Sequence, residues 1–259
     1  MLKVNTLKNK LNNGEVVVGT WNTLASPLVT EVFAQAGLDF QIIDLEHGPF
    51  ILDQIHLHVS ACETVNNCTP LVRIPANSDW MALQALDQGA HGIVTPHINS
   101  AESARQLVNA TKYYPNGDRG FTPFSKAGGF NNDNILTHIK RSIDETINIV
   151  IIESKEGLDN LEQIASTDSI DVVYFGAYDL SQALGYPGEI RHPNIIKEIK
   201  KGVNIVNKLG KHSGGFVAQS KGDIDELVDM GMRFITYEVD SSIIYSHVKG
   251  MTDWLKNGR

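Results

Sequence analysis

Eight short runs rich in Val, Ile and Phe recur along the chain, separated by stretches in which apolar residues return every three or four positions. The runs are VVVGTW (16–21), FQIIDLE (40–46), TPLVRIP (69–75), GIVTPH (92–97), NIVIIES (148–154), DVVYFGAYD (171–179), HSGGFVA (212–218) and FITYEVD (234–240), and each reads as a β-strand. Between them the spacing is helical: Leu52, Ile55, Val59 and Cys62 share one face, as do Ile244, Val248, Met251 and Leu255. Ser78 and Ser100 precede two such stretches and read as helix N-caps. Strands this apolar have no wet face, so their alternation with helices predicts a parallel sheet covered by helices. Eight units in about 250 residues predict an α/β fold of the (β/α)8 or TIM-barrel class, a single domain over residues 1–259. An open doubly wound sheet is disfavoured, because no GxGxxG follows the first strand and Gly19 is a lone glycine.

One connection exceeds the rest. Residues 113–147 separate the fourth and fifth strands and hold the loop YYPNGDRGFTPFSKAGGF and a predicted extra helix, NNDNILTHIKRSIDE. A long loop rich in glycine and aromatics is expected at the catalytic end of the barrel, as a functional element. No composition break marks a second domain, and no internal repeat appears.

Composition narrows the partners. Hydrophobic residues at 42% and charged residues at 20% describe a globular chain and exclude a disordered one. Lys+Arg number 22 against 30 Asp+Glu, a formal charge of −8, and the cations are scattered; a general nucleic-acid surface is therefore excluded, whereas small ligands, anions included, stay open. Two cysteines, Cys62 and Cys68, cannot form a disulfide framework in a chain this long and lack the spacing of a zinc site, so a reducing cytoplasm is expected. The stretch MLKVNTLKNKLNNGE lacks the apolar centre of a signal peptide, and no run approaches about 20 apolar residues, so no membrane segment is expected.

Barrel enzymes build their sites where strands end. Asp44, Glu46 and His47 end the second predicted strand, Arg73 the third and Glu153 the fifth, and Asp179 follows the sixth, so four termini present charge to one space. Glu153 and Asp179 come from neighbouring strands and offer two hard oxygen donors suited to Mg²⁺ or Mn²⁺; otherwise Glu153 pairs with a base and Asp179 caps the helix DLSQAL. His47, beside Asp44, is either a general base oriented by that carboxylate or a polar residue closing a strand. Arg73 either grips a substrate carboxylate or forms an ion pair in the barrel mouth. Trp21 walls the pocket or packs the core. His56, His58 and His91 read as structural. No predicted strand carries a lysine, and Lys155 and Lys211 only flank strands, which disfavours imine chemistry. Gly214 and Gly215 hint at the phosphate site of a sugar-phosphate isomerase, but they fall inside the seventh run and no glycine turn follows the eighth.

Five motifs taken together, IDLEHGP (43–49), LVRIPAN (71–77), LDQGAHGIVTPHINSAE (86–102), YYPNGDRGF (113–121) and FGAYDLSQALGYPGE (175–189), resemble the HpcH/HpaI aldolase family of class II, metal-dependent pyruvate aldolases nearly from end to end. The resemblance implies reversible cleavage of a 4-hydroxy-2-oxo acid to pyruvate and an aldehyde, with reactions of acyl-CoA thioesters or decarboxylating condensations as the alternative within the same superfamily. It implies that Glu153 and Asp179 hold a divalent ion, Mg²⁺ or Mn²⁺ with Co²⁺ or Zn²⁺ as alternatives, and that Arg73 steadies the keto acid. It implies further that His47 and Asp44 form an acid/base dyad, that backbone amides of Gly176, Ala177 and Tyr178 hold the pyruvate carboxylate, and that the chain assembles as a homo-oligomer, commonly a hexamer.

The chain departs from the family pattern at Ile151, where glutamine is usual, at Ala177, where proline is common, and at Tyr237 and Glu238, where small residues are usual. Only one of the last two can face the barrel interior. Tyr237 is expected to line the pocket, with the loop 119–130 at its rim, and to favour small polar or hydroxylated aldehydes.

Overall fold

The computed structural model describes residues 3–76, 78–130 and 134–257. Eight parallel strands close into a barrel in sequence order: β1 (Val17–Asn22), β2 (Phe40–Asp44), β3 (Thr69–Arg73), β4 (Gly92–Thr95), β5 (Ile147–Ile152), β6 (Val172–Phe175), β7 (His212–Ala218) and β8 (Phe234–Val239). Helices lie between consecutive strands, as the pattern predicts. Most of the predicted strands end one to four residues early, and at β2 and β6 the cause is a turn or helix that starts at once. The Gly48 N–H donates to the Asp44 carbonyl, so a turn closes directly after β2 and takes up Glu46 and His47; likewise Gly176 caps the helix Ala177–Ala183, which begins where β6 was expected to continue.

Strand alternation sorts the apolar residues into two layers. Ile43, Val72, Ile93, Val150, Val173 and Phe175 point out to the helices. Phe40, Ile42, Leu71, Val94, Ile149 and Tyr174 fill the barrel. The inner positions are crowded enough to need glycine: Phe40 and Phe234 stack with centroids 4.1 Å apart, and a Cβ on Gly19 would lie 2.4 Å from the Phe40 ring. Continued upward, the same alternation assigns Trp21, Asp44, Arg73 and Glu153 to the inside, where the last layer of the core gives way to polar groups.

The floor is closed by a helix that the strand pattern did not foretell. Thr6–Asn12 inserts Leu7 and Leu11, both buried, into the inner cluster. Its N-cap Asn5 accepts from the Lys8 amide (3.0 Å) and donates to the Glu145 carbonyl (2.8 Å). Ser100 caps its helix by accepting from the Ser103 amide (3.1 Å), as expected. Ser78 precedes Asp79–Asp87 but makes no capping bond; its hydroxyl donates instead to the Ala76 carbonyl.

Between β4 and β5 run two helices, Ala101–Thr111 and Ile135–Glu145; residues 131–133, the start of the predicted extra helix, lie outside the described residues. The loop between them is not at the catalytic end. Arg119 pairs with Asp87 (2.7 Å), the Ala127 amide donates to the Asp87 carbonyl, and Lys126 pairs with Glu63 (2.9 Å). Asp87 and Glu63 stand at helix C-termini, hence at the N-terminal ends of the strands. The loop follows a helix rather than a strand, so topology delivers it to the floor. Among the described residues no helix is long and apolar enough to cross a membrane.

Candidate active site

The strand C-termini surround a cavity of about 290 Å³ lined by Trp21, Asp44, His47, Arg73, Glu153 and residues 176–179, joined by Thr23, Ile151, Tyr174 and Val239. The structure thus brings together Trp21, Asp44, His47, Arg73, Glu153, Gly176, Ala177, Tyr178 and Asp179, whereas Glu46 and Tyr237 do not line the cavity. A larger groove of about 480 Å³ runs along the helix Asp240–Asn257, lined by Leu24, Ser241, Ile244, Tyr245, Val248, Lys249 and Thr252; it holds one cation and no carboxylate, and no chemistry converges on it.

Register makes the first pair. Asp44 and Arg73 are direct partners across β2 and β3, and Arg73 binds the buried Asp44 in bidentate fashion, Nε to Oδ1 at 2.7 Å with the second bond from Nη2 to Oδ2. Nη1 lies 3.3 Å from Glu46 Oε2, and the guanidinium carbon sits 4.4 Å above the Trp21 ring. Burial works against the charge of Arg73, but the Asp44 carboxylate more than offsets it, so its pKa is raised and it stays a cation. The ion-pair reading of Arg73 is therefore realised while the residue still faces the cavity.

Asp44 does not orient the His47 ring as expected. Its Oδ1 accepts the backbone amides of Glu46 (3.0 Å) and His47 (3.2 Å) as well as Arg73, and the exposed imidazole stands apart at the rim. The reason is the early end of β2: three residues of turn carry His47 away from the carboxylate that register hands to Arg73.

Glu153 follows β5 and is 7% exposed. Its Oε1 accepts the His97 amide at 2.7 Å, and His97 Nδ1 lies 2.9 Å from the same oxygen. Burial raises the carboxyl pKa; the His97 amide and charge pull it back, and Asp179 and Glu46 push it up. No Lys or Arg partner of Glu153 occurs among the described residues. Asp179 is exposed in the first turn of Ala177–Ala183 and makes no capping bond; the N-cap is Gly176. A Cβ at Gly176 would stand 3.0 Å from Glu153 Oε2, so glycine keeps the space beside that oxygen clear. The Gly176 N–H is committed to the Ile152 carbonyl, which leaves Ala177 and Tyr178, at the first two helical positions, with amides that have no intrahelical acceptor. Among the described residues no three His, Cys, Asp or Glu side chains form a metal cluster. Two carboxylates on one cavity, one of them with an oxygen free of hydrogen bonds, fit a hard divalent ion whose other positions go to water and substrate.

Sequence reasoning missed several members. Tyr174 accepts the Trp21 indole N–H (3.3 Å) and bonds Thr236 Oγ1 (2.8 Å), fixing the Trp21 ring beneath Arg73; full burial raises its phenol pKa. An aromatic inside an apolar strand gives no sign of such a role. His97 was visible only as the end of GIVTPH. Tyr237 was misassigned. A register shift between β1 and β8 after Thr236, with Glu238 at φ 53°, turns Val239 into the cavity, whereas Tyr237 packs on the outer core and Glu238 accepts the Ser242 hydroxyl (2.6 Å). Gly214 and Gly215 serve close packing rather than phosphate: added Cβ atoms would meet Phe234 at 2.5 Å and Phe175 at 2.7 Å.

A family profile described as HpcH/HpaI aldolase/citrate lyase matches residues 18–246. A hydroxypyruvate/pyruvate aldolase of Roseobacter denitrificans is 33% identical over 256 residues, covering 98% of each chain. A 2-keto-3-deoxy-L-rhamnonate aldolase of Escherichia coli K12 is 31% identical over 98% of this chain and 94% of its own. Among solved structures, a HpcH/HpaI aldolase/citrate lyase family protein from Burkholderia cenocepacia superposes with a TM-score of 0.92 at 28% identity, over 98% of this chain and 100% of that one.

Proposed function

The chain belongs to the HpcH/HpaI aldolase/citrate lyase family, and on that premise we propose that it is a carbon–carbon lyase, cleaving a 4-hydroxy-2-oxo acid reversibly to pyruvate and an aldehyde with the aid of a divalent ion. The aldolase names of its relatives support the reaction class. The observation that carries the reading is the convergence of Arg73, Glu153, Asp179 and His47 on one cavity of about 290 Å³, a size suited to a small acid.

Glu153 and Asp179 would hold the ion, Mg²⁺ or Mn²⁺. When bound, such an ion polarises the C2 carbonyl and stabilises the enolate that carbon–carbon cleavage leaves behind. The chain's own groups do the rest. Arg73, already locked by Asp44, Glu46 and the Trp21 face, meets the keto acid without reorganising. The free amides of Ala177 and Tyr178 donate to its carboxylate. His47, exposed at the rim, takes the proton of the C4 hydroxyl as the C3–C4 bond breaks and returns it to C3 of the enolate to give pyruvate, and Asp44 contributes by fixing Arg73 and the turn that carries His47. Trp21, Ile151 and Val239 form the dry wall. The same reading extends to assembly: Ile244, Tyr245, Val248, Met251, Trp254 and Leu255 leave an exposed apolar stripe on Asp240–Asn257, suited to another copy of the chain, and light scattering should find an oligomer.

The test is pyruvate release from 4-hydroxy-2-oxo acids with Mn²⁺ or Mg²⁺, beside an EDTA-treated control. Full activity after EDTA, or a lysine adduct trapped by borohydride with pyruvate, would overturn the class II reading.

A further inference from the structure

His97 has a backbone that few side chains adopt, at φ 55°, in the left-handed region. Such a conformation persists where its surroundings fix it, and it clusters at functional sites. Here it aims two groups of one residue at one atom: the His97 N–H donates to Glu153 Oε1 at 2.7 Å, and Nδ1 lies 2.9 Å from that oxygen. A proton on Nδ1 makes the second contact attractive. Oε1 is thereby occupied, and Oε2, which accepts no hydrogen bond among the described residues, is left on the side of Gly176, where the absence of a Cβ keeps space open.

The far side of the ring faces the carboxylate that also meets Arg73. Nε2 lies 4.0 Å from Glu46 Oε1, and the other oxygen of Glu46 is 3.3 Å from Arg73 Nη1. His97 therefore stands between the carboxylate after β5 and the arginine that ends β3, behind Glu153, and is not itself among the residues that line the cavity.

We propose that His97 is a positioning residue, whose imidazole and amide pin Oε1 of Glu153 so that Oε2 is presented to the cation. The inference rests on the reading of Glu153 and Asp179 as ligands, and goes beyond it by assigning the residue that orients the buried one. Partners that orient a ligand typically contribute about 10- to 100-fold to metal affinity.

The experiment is calorimetric titration of EDTA-stripped protein with Mn²⁺, comparing wild type with His97→Gly and His97→Asn. Glycine keeps the backbone donor and relaxes the left-handed conformation, so thermal melting should be maintained while the ring is lost. Asparagine tolerates the same φ and restores a side-chain donor. The expected result is Mn²⁺ binding about 10- to 100-fold weaker in His97→Gly, largely recovered in His97→Asn, with the kcat/KM loss of His97→Gly diminishing at excess Mn²⁺. Wild-type affinity in His97→Gly, or equal affinities in the two variants, would overturn the inference alone. Absence of Mn²⁺ binding by the wild type would remove the ligand reading and the inference with it.

Discussion

Two arginine–aspartate pairs, each with one buried and one half-buried partner, stand at opposite ends of this barrel, and each arginine lies over an aromatic ring. At the mouth Arg73 binds Asp44 and stacks 4.4 Å above Trp21; at the floor Arg119 binds Asp87 and stacks 4.6 Å above Tyr113. As isolated motifs they are alike. Their neighbours separate them: Arg73 shares its cavity with Glu153, Asp179 and His47, whereas Arg119 ties the loop after Ala101–Thr111 to the end of Asp79–Asp87 and approaches Ser142 on the next helix. A buried ion pair signals function only when further charge is left unneutralised beside it, and that distinction belongs to the end of the barrel rather than to the residue types.

The largest effect should come from the unneutralised charge. Glu153→Gln keeps shape and removes the anion; kcat/KM should fall by about 10³-fold, the several kcal/mol that a bound cation contributes, with the melting temperature nearly unchanged. Activity within tenfold of wild type would mean that the cavity's chemistry does not run through Glu153.

The two arginines should then divide. Arg73→Ala is expected to lower kcat/KM by about 10²- to 10³-fold, the usual cost of losing one preorganised donor to a developing anion. Arg119→Ala should leave kcat close to wild type and cost about 3 kcal/mol of stability, because Asp87 loses its partner inside packed structure. Denaturant titration and steady-state kinetics on both variants decide the matter, and matching losses of activity would erase the comparison.

Acid should reveal the floor as well. His91 precedes β4, neither ring nitrogen has a hydrogen-bond partner among the described residues, and burial lowers its pKa to about 4, opposed by the Glu63 carboxylate 4.0 Å away. The unfolded chain binds a proton at His91 near pH 6.5 and the folded chain does not, so stability is complete above about 6.5 and is lost progressively as pH falls toward about 4. Thermal melts across that window should show the decline, with a shallower slope in His91→Gln; an unchanged slope would assign it elsewhere, His58 being the other buried histidine lowered to about 4.

Much of the mouth was legible because barrel strands carry one signal twice. Apolar alternation marks the strands, and its interruption by Asp44, Arg73 and Glu153 at inner positions marks where the core stops. What escaped was everything set by turns. The residues after Asp44 look like more strand, yet the Gly48 turn carries His47 to the rim and gives Asp44 to Arg73. His97 acquires its partner only through a left-handed φ, which no hydrophobic pattern encodes. The 113–130 loop has the composition of an active-site lid, but composition does not say which end of a barrel a segment reaches; whether it follows a strand or a helix does.

The finest distinction concerns β8, where one inserted residue decides which side chain faces the cavity. Without the register shift between Thr236 and Val239, strict alternation from Phe234 and Thr236 would turn Glu238 inward and Tyr237 outward. With Glu238 at φ 53° the extra residue is absorbed, Tyr237 remains on the outer core, and Val239 joins Ile151 in lining the cavity. On the proposed aldol reaction, the aldehyde half would meet lining residues such as Val239, Thr23 and Tyr178 rather than the Tyr237 hydroxyl. Val239→Ala should enlarge that space and shift the ratio of kcat/KM for hexanal over glycolaldehyde, with pyruvate as the common partner, upward by about tenfold, the lower range of what one or two methyl groups decide in an apolar pocket. Tyr237→Ala should weaken the fold through its lost packing and leave the same ratio within about twofold. A shift in Tyr237→Ala as large as that in Val239→Ala would return the tyrosine to the pocket and remove the bulge from the account of specificity.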